Sequence, residues 1–242
     1  MVPNMTPTVI LTRPKAQSES FAADLMARWD GPIEIIHSPL IEITPVAVSI
    51  TRPDAVIFTS ANGVIASGRL GLPSGLMAWC VGPKTAARAQ EAGFVPITGP
   101  GDADGLAAQI IAARPAGRLA HIRGRHTGAN LCARLNAVGI ACEDVVAYAQ
   151  NALTLTSEAR FATSAQKPVI FPLFSPRTAT IFGRQAPFGA PVHVIALSYA
   201  VEHALAAGIA QSVTVAQRPD GPAMVDATLE VIAAQLGRSC LG

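Results

Sequence analysis

The sequence predicts an α/β fold in which two similar domains each hold a parallel sheet flanked by helices. Three observations carry this. Short β-branched runs alternate with Ala-rich amphipathic stretches along nearly the whole chain, and parallel strands require a crossover between them. The chain also repeats itself: VIFTSANGV (from Val56) followed by CVGPKTAARAQEAGF (from Cys80) has a weaker echo in VIFPLFSPRTATIF (from Val169) followed by VIALSYAVEHALAAGI (from Val194). Aligning Ser60 with Ser175 brings Gly82 beside Ser198 and Gly93 onto Gly208, at offsets of 115, 116 and 115 by subtraction of residue numbers. Pro39 and Pro45, finally, bracket an extended crossing at residues 40–44 and mark a boundary.

Taken in order, residues 9–12 form a first strand, after which Phe21, Leu25, Met26 and Trp29 fall on one helical face. Residues 33–37 are the next strand. After the proline-bracketed crossing, strands are expected at residues 55–58, 78–81, 95–98, 119–123 and 143–148, with helices at 62–70, 84–92, 103–113 and 128–138. Beyond Gln150, strands at residues 169–174, 192–197 and 212–216 each lead into a helix. Pro172 lies inside the first of these, which argues for an edge or bulged strand there. Three strands are few for a sheet, and residues 9–12 and 33–37 would complete it. A discontinuous domain of residues 1–38 and 150–242 is therefore expected, with residues 40–148 inserted as a second domain and two chain crossings acting as a hinge. One continuous large sheet is the alternative.

Composition narrows the function. Half of the 242 residues are hydrophobic, enough for a substantial core. A net charge of +2, with no run of Lys and Arg, predicts no nucleic-acid partner. The start MVPNMTPTVILTRP lacks the basic and then apolar pattern of an export signal, because Thr12, Arg13 and Pro14 cut the apolar run short. Every longer apolar run is interrupted before the roughly 20 residues needed to span a bilayer. The expectation is a soluble cytoplasmic protein with no membrane partner. Cys80, Cys132, Cys142 and Cys240 are scattered without a CxxC pair and read as reduced packing thiols.

Few residues could do covalent chemistry. The five histidines show no HExxH spacing and no accompanying carboxylate cluster, so no metal site is expected. His121 and His193 lie in apolar strands and read as satisfied core histidines. Gly82-Pro83-Lys84-Thr85 lacks the spacing of a phosphate loop, no GxGxxG follows the first strand, and no GxSxG surrounds Ser60 or Ser175. What recurs is a strand-end loop that offers small hydroxyls and backbone N–H groups at a helix start. Four segments have this form: Thr59 to Asn62, Gly82 to Thr85, Arg123 to Gly128, and Ser175 to Thr178. Such loops suit anions, because unpaired amides and the helix dipole both favour negative charge. Each charge-assisted hydrogen bond contributes roughly 1.5–3 kcal/mol. Ordinary helix capping is the alternative for each loop. Arg123 and Arg125 flank a glycine in one of them, and Arg13 ends the first strand, with solvated surface charge as their alternative.

These segments together resemble the uroporphyrinogen-III synthase family. The resemblance rests on TRP after the first strand, FTSANGV, VGPKTAARAQEAGF, the RG-containing loop before a helix, Tyr148 shortly after Val145-Val146, FSPRTA, and the terminal helix after Arg218-Pro219. It runs from Val9 to about Leu236. The resemblance implies a bilobal protein with a discontinuous first domain, an inserted second domain and a two-stranded connector. It also implies a cofactor-free lyase of heme biosynthesis, closing the linear tetrapyrrole hydroxymethylbilane to uroporphyrinogen III with inversion of ring D and loss of water. The bond-making is then left to the substrate, which loses its terminal hydroxyl to give a reactive azafulvene and closes through a spiro intermediate. Orientation of that kind can supply up to roughly 7–11 kcal/mol.

By the same resemblance, Tyr148 hydrogen-bonds the departing hydroxyl and Thr85 faces the cleft. Arg13, Ser60, Ala61, Asn62, Gly82, Lys84, Arg123, Gly124, Ser175, Pro176, Arg177 and Ser198 receive the substrate's carboxylates, many through main-chain amides. No cofactor and no metal are implied, and a monomer is expected. One departure stands out: the second copy reads Leu197-Ser198-Tyr199-Ala200-Val201, without the small hydroxyl pair of the family, so Ser198 alone carries that position. Two rivals remain on the residues alone. One is a two-lobed, non-enzymatic binder of an anionic small molecule that closes by a hinge; the other is a nucleotide-sugar or phosphosugar enzyme, against which the missing phosphate motifs count.

Overall fold

The computed structural model describes residues 6–126 and 130–237. Its elements in chain order begin with β1 (Thr8–Leu11), α1 (Lys15–Met26), β2 (Glu34–His37), β3 (Ile41–Pro45), β4 (Ala55–Phe58), α2 (Ala61–Ser67) and β5 (Met77–Cys80). Next come α3 (Pro83–Glu91), β6 (Val95–Thr98), α4 (Ala103–Ala113), β7 (Leu119–Gly124), α5 (Leu131–Ala137) and β8 (Cys142–Ala152). The chain finishes with α6 (Ser157–Ser164), β9 (Val169–Leu173), α7 (Pro176–Gly183), β10 (Val192–Ala196), α8 (Tyr199–Glu202), β11 (Ser212–Val215) and α9 (Gly221–Gln235). It divides after Glu42 and again after Asn151 into two compact units, the first of which is discontinuous in sequence. This is an α/β fold of parallel sheets flanked by helices.

In the first unit the strand order is β11-β10-β9-β1-β2, all parallel. Residues of β1, β9 and β10 are buried throughout, as expected where helices cover both faces of a parallel sheet. One face carries Ile10, Phe171, Leu173 and Val194 against Phe182 of α7 and Leu155. The other carries Val9, Leu11, Ile170 and Ile195 against Phe21 and Leu25 of α1 and Met224 and Ile232 of α9. The ring of Phe171 lies 4.7 Å from that of Phe182, which in turn lies 5.0 Å from Phe188.

Pro172 does not make β9 an edge strand, contrary to the sequence expectation: β9 is the middle strand of five. The reason is parity. Val169 N–H donates to Pro191 and Leu173 C=O accepts from Leu197, so odd-numbered residues of β9 bond toward β10. Pro172, which has no N–H, therefore faces β1, where pairing has already ended at Val9 and Ile170. Two helices also depart from expectation. Helix α6, capped by Thr156 Oγ1 accepting from Ala159 N–H, follows β8 where no helix was expected, and α8 is a single turn.

The second unit has the order β3-β8-β7-β4-β5-β6. Strands β4 to β8 are parallel. β3 runs against β8, since Val46 N–H donates to Ala147 and Leu153 N–H to Leu40. Val56, Phe58, Ala78 and Cys80 face α2 and α3 residues such as Val64 and Ala89. Ile57, Trp79 and Leu119 face Leu106 and Ile110 of α4 and Leu131 and Leu135 of α5. The sequence repeat has a backbone counterpart: its aligned glycines, Gly93 and Gly208, have φ of 87° and 75°, a left-handed conformation that glycine adopts without Cβ strain.

The cysteine reading needs correction. Cys132 and Cys142 form a disulfide with Cα atoms 5.0 Å apart. Helix α5 and the turn after it bring these residues, separated by 10 in sequence, back alongside each other. The carboxamide of Asn136 pins the return by bonding both the N–H and the C=O of Cys142. Cys80 is free and buried, and burial pushes its thiol up to about 11. Cys240 lies outside the described residues. Among the described residues no helix is long and apolar enough to cross a membrane.

Core burial sets the first test. Phe171 is fully buried and Phe161 is 78% exposed. Phe171→Ala should lose roughly 3–5 kcal/mol of unfolding free energy by urea titration, and Phe161→Ala should stay within about 0.5 kcal/mol of the parent. Equal losses would contradict the packing described here.

Candidate active site at the strand ends

Because β4, β5, β7 and β8 are parallel, their C-terminal ends gather at one edge of the second unit's sheet. There β4 runs into Thr59 and Ser60. Ser60 is extended (φ −160°, ψ 147°) and caps α2, its hydroxyl accepting from Asn62 N–H at 3.2 Å. β5 runs into Gly82, which precedes the proline that opens α3. Arg123 and Gly124 close β7, and Gly124 sits opposite Tyr148 of β8.

Tyr148 is 4% exposed, and its phenol is under the influence of the Ser60 side chain and the Gly124 backbone. Burial is the largest influence on this group and raises its pKa above 10.0; the neighbouring Ser60 side chain, Gly124 backbone and charge of Arg123 pull the other way. A slip in the ladder aims the ring. Arg123 pairs with Val146 but Gly124 pairs with Tyr148, which leaves Ala147 as an extra residue. Gly124 is the only size that fits, since a Cβ there would lie 2.6 Å from the Tyr148 ring and 2.9 Å from Gln150 Oε1.

A second polar chain runs across the same sheet. His121 pairs with Asp144 between β7 and β8, and its Nδ1 lies 3.0 Å from Asp144 Oδ1 while Nε2 lies 3.0 Å from Thr59 Oγ1. Arg123 Nε is 2.9 Å from the same Asp144 oxygen, and Arg123 donates to Gly124 C=O. Chiefly the His121 hydrogen bond, helped by Arg123, holds the Asp144 carboxyl below its ordinary range against the opposing effect of burial. His121 has no exposed surface. It is thus a satisfied core histidine, as is His193, which bonds Ser212 and Gln235. His121, Cys132 and Asp144 place possible metal-ligand atoms within 4.8 Å of one another. Those atoms are already engaged, however: the sulfur in the disulfide, the ring and the carboxylate with each other.

The first unit gathers its own strand ends. Ser175 after β9 repeats the backbone of Ser60 (φ −155°, ψ 150°) and caps α7, accepting from Thr178 N–H and sharing a 2.8 Å hydrogen bond with Thr178 Oγ1. Pro176 opens that helix and Arg177 follows, half-buried. Ser198 after β10 has the same extended conformation (φ −161°, ψ 167°) but makes no side-chain cap bond. Arg13, after β1, stacks its guanidinium 4.2 Å over the Phe174 ring, and its C=O accepts from Ser18 Oγ.

Of the residues singled out in the sequence, Ser60, Arg123 and Gly124 all act on the Tyr148 phenol, with Ala61 and Asn62 opening the helix that Ser60 caps. Lys84 is exposed, whereas Thr85 is only 6% exposed and shares the buried face of α3 with Ala86 and Ala89. Thr127 and Gly128, the end of the Arg123 loop, lie outside the described residues. Sequence reasoning missed the Thr59, His121 and Asp144 chain. The available signal was the pair of polar residues at positions 121 and 144 in strands that turn out to be neighbours, but it becomes readable only once the register is known. A surface cavity of about 600 Å³ lined by Pro45 to Ser49, Ala66, Arg69, Leu70 and Ala147 includes none of the site residues.

What this edge can do chemically is hold anions on amides and hydroxyls and offer one neutral phenol as a proton donor. In sequence pattern and in fold the chain is similar to known proteins. The model of a family described as uroporphyrinogen-III synthase HemD matches residues 26–226. The crystal structure of uroporphyrinogen-III synthetase from Helicobacter pylori has a similar fold, with a TM-score of 0.66, 16% identity, and coverage of 94% of this chain and 100% of that one. A mutant uroporphyrinogen III synthase from Thermus thermophilus gives a TM-score of 0.53 at 16% identity, covering 96% of this chain and 99% of that one. No curated protein is similar enough in sequence to count as a match.

The buried phenol has a measurable consequence. In a Tyr199→Phe background Tyr148 is the sole tyrosine, and its phenolate absorbance should appear with a midpoint above pH 10.0. A raised folded-state pKa means that the contribution to stability is fully present below the unfolded value and fades as pH climbs through the folded one. A midpoint at or below 10.0 would contradict the buried placement.

Proposed function

The chain belongs to the uroporphyrinogen-III synthase family, and from that premise we propose how its own residues serve the family's reaction. That reaction closes hydroxymethylbilane to uroporphyrinogen III with inversion of ring D and loss of water, without a cofactor. Two demands follow from it. A flexible polyanion must be held so that one closure is favoured over another, and a hydroxyl must leave as water.

The strand-end loops answer the first demand. In the second unit, carboxylates are received by Ser60, Ala61, Asn62, Gly82 and Lys84, mainly on main-chain N–H groups at the starts of α2 and α3. In the first unit they are received by Ser175, Arg177 and Ser198 and by Arg13, whose guanidinium Phe174 steadies. Pro176 has no N–H to offer and contributes by pre-setting the first turn of α7. Arg123 is committed to Asp144, so its charge acts on the site at a distance, while Gly124 acts by leaving room for the tyrosine. Thr85, on the inner face of α3 beside Lys84, has no part in this reading.

Tyr148 answers the second demand, and its placement is the observation that carries the reading. A phenol set beside Ser60 and Gly124 at the strand ends, and kept protonated by burial, can donate to the departing hydroxyl at neutral pH. It forms no bond to the substrate. Proton donation of this kind is worth roughly 10²- to 10⁴-fold in rate.

Tyr148→Phe should therefore lower kcat for hydroxymethylbilane by roughly a hundredfold and leave measurable turnover. A kcat equal to the parent's, or complete inactivity in a variant with a parental unfolding curve, would contradict this role.

A further inference from the structure

Asp144, His121 and Thr59 form a polar chain, joined at Asp144 by Arg123, that neither carboxylate binding nor hydroxyl departure uses directly. Its hydrogen-bond directions can be worked out. An ionised carboxylate only accepts, so the His121 Nδ1 that lies 3.0 Å from Asp144 Oδ1 must be the donor. Asp144 is already paired with Arg123, and His121 is completely buried. A second cation on that ring would lack a counter-ion of its own, so the neutral imidazole is the state that leaves no buried charge unbalanced. Its Nε2 is then an acceptor. Thr59, 3.0 Å away, must spend its only hydroxyl proton on Nε2, which leaves Oγ1 with lone pairs alone for any further partner.

This polarity is unusual at an edge whose other groups mostly donate: the amides of α2 and α3 and the Lys84 ammonium. A linear tetrapyrrole carries pyrrole N–H groups as well as carboxylates, and an N–H needs an acceptor. We propose that Thr59 Oγ1, half-buried beside Ser60 at the end of β4, accepts a hydrogen bond from a substrate pyrrole N–H, with His121 and Asp144 as the positioning residues that fix its polarity. This inference rests on the functional reading above.

Two measurements test it. In protein labelled with ¹⁵N-histidine, the nitrogen spectrum of His121 should report a protonated Nδ1 and an unprotonated Nε2. Asp144→Asn, whose amide can donate to Nδ1, should shift the proton to Nε2. In the kinetic arm, Thr59→Val should raise KM for hydroxymethylbilane roughly three- to tenfold, the worth of one neutral hydrogen bond, and Thr59→Ser should bring it back toward the parental value. Asp144→Asn should raise KM similarly in the parent but add little in the Thr59→Val background, as expected of residues that act as a unit. A protonated Nε2 in the parent, an unchanged KM in Thr59→Val, or fully additive losses would overturn the inference. A parent protein that makes no uroporphyrinogen III would instead overturn the functional reading and take the pyrrole contact with it.

Discussion

A parallel strand cannot be reached by a hairpin, and this constraint organises the whole molecule. Each strand must be followed by a crossover, here usually a helix, before the next one starts. The ends of the parallel strands of a sheet therefore arrive at one edge, and all of these but β2 are followed by a helix start rich in unpaired N–H groups. The residues that matter chemically are not neighbours in sequence. Ser60, Gly82, Gly124 and Tyr148 meet because β4, β5, β7 and β8 run the same way, and Ser175 and Ser198 lie at adjacent strand ends because β9 and β10 do.

On that edge the extra residue Ala147 matters more than its size suggests. Without the slip in register, Gly124 would face Ala147, and the Tyr148 side chain would point to the other side of the sheet. The bulge places the ring over a glycine that has no Cβ to obstruct it. The same face rule puts Thr59, His121, Arg123 and Asp144 together, since alternate residues of neighbouring strands share a side. The site is thus built from sheet geometry, with the loops adding only the caps.

Much of this was legible in the residues. Apolar β-branched runs marked the strands, and the offset of 115 between Ser60 and Ser175 announced two helix caps that share nearly the same backbone angles. The left-handed Gly93 and Gly208 were visible as aligned glycines for the same reason. What could not be read needed pairing information. Pro172 was misjudged because only the direction of its peptide group, toward β1, makes it harmless in a central strand. The Cys132–Cys142 disulfide escaped because it depends on where α5 delivers the chain. The bond between His121 and Asp144 depends on a register that no local pattern encodes. Tyr148 stood out only through family resemblance, since nothing in its own neighbourhood distinguishes it from a packing aromatic.

In this picture the protein's work is steric and electrostatic: it selects one closure of a reactive chain and supplies a proton where a hydroxyl leaves. The most direct test is the isomer composition of the uroporphyrinogen formed when the purified protein meets hydroxymethylbilane, resolved by chromatography of the derived porphyrins. Isomer III, with ring D inverted, is the predicted product. Isomer I, the unflipped closure, at the yield seen without protein would contradict the central claim.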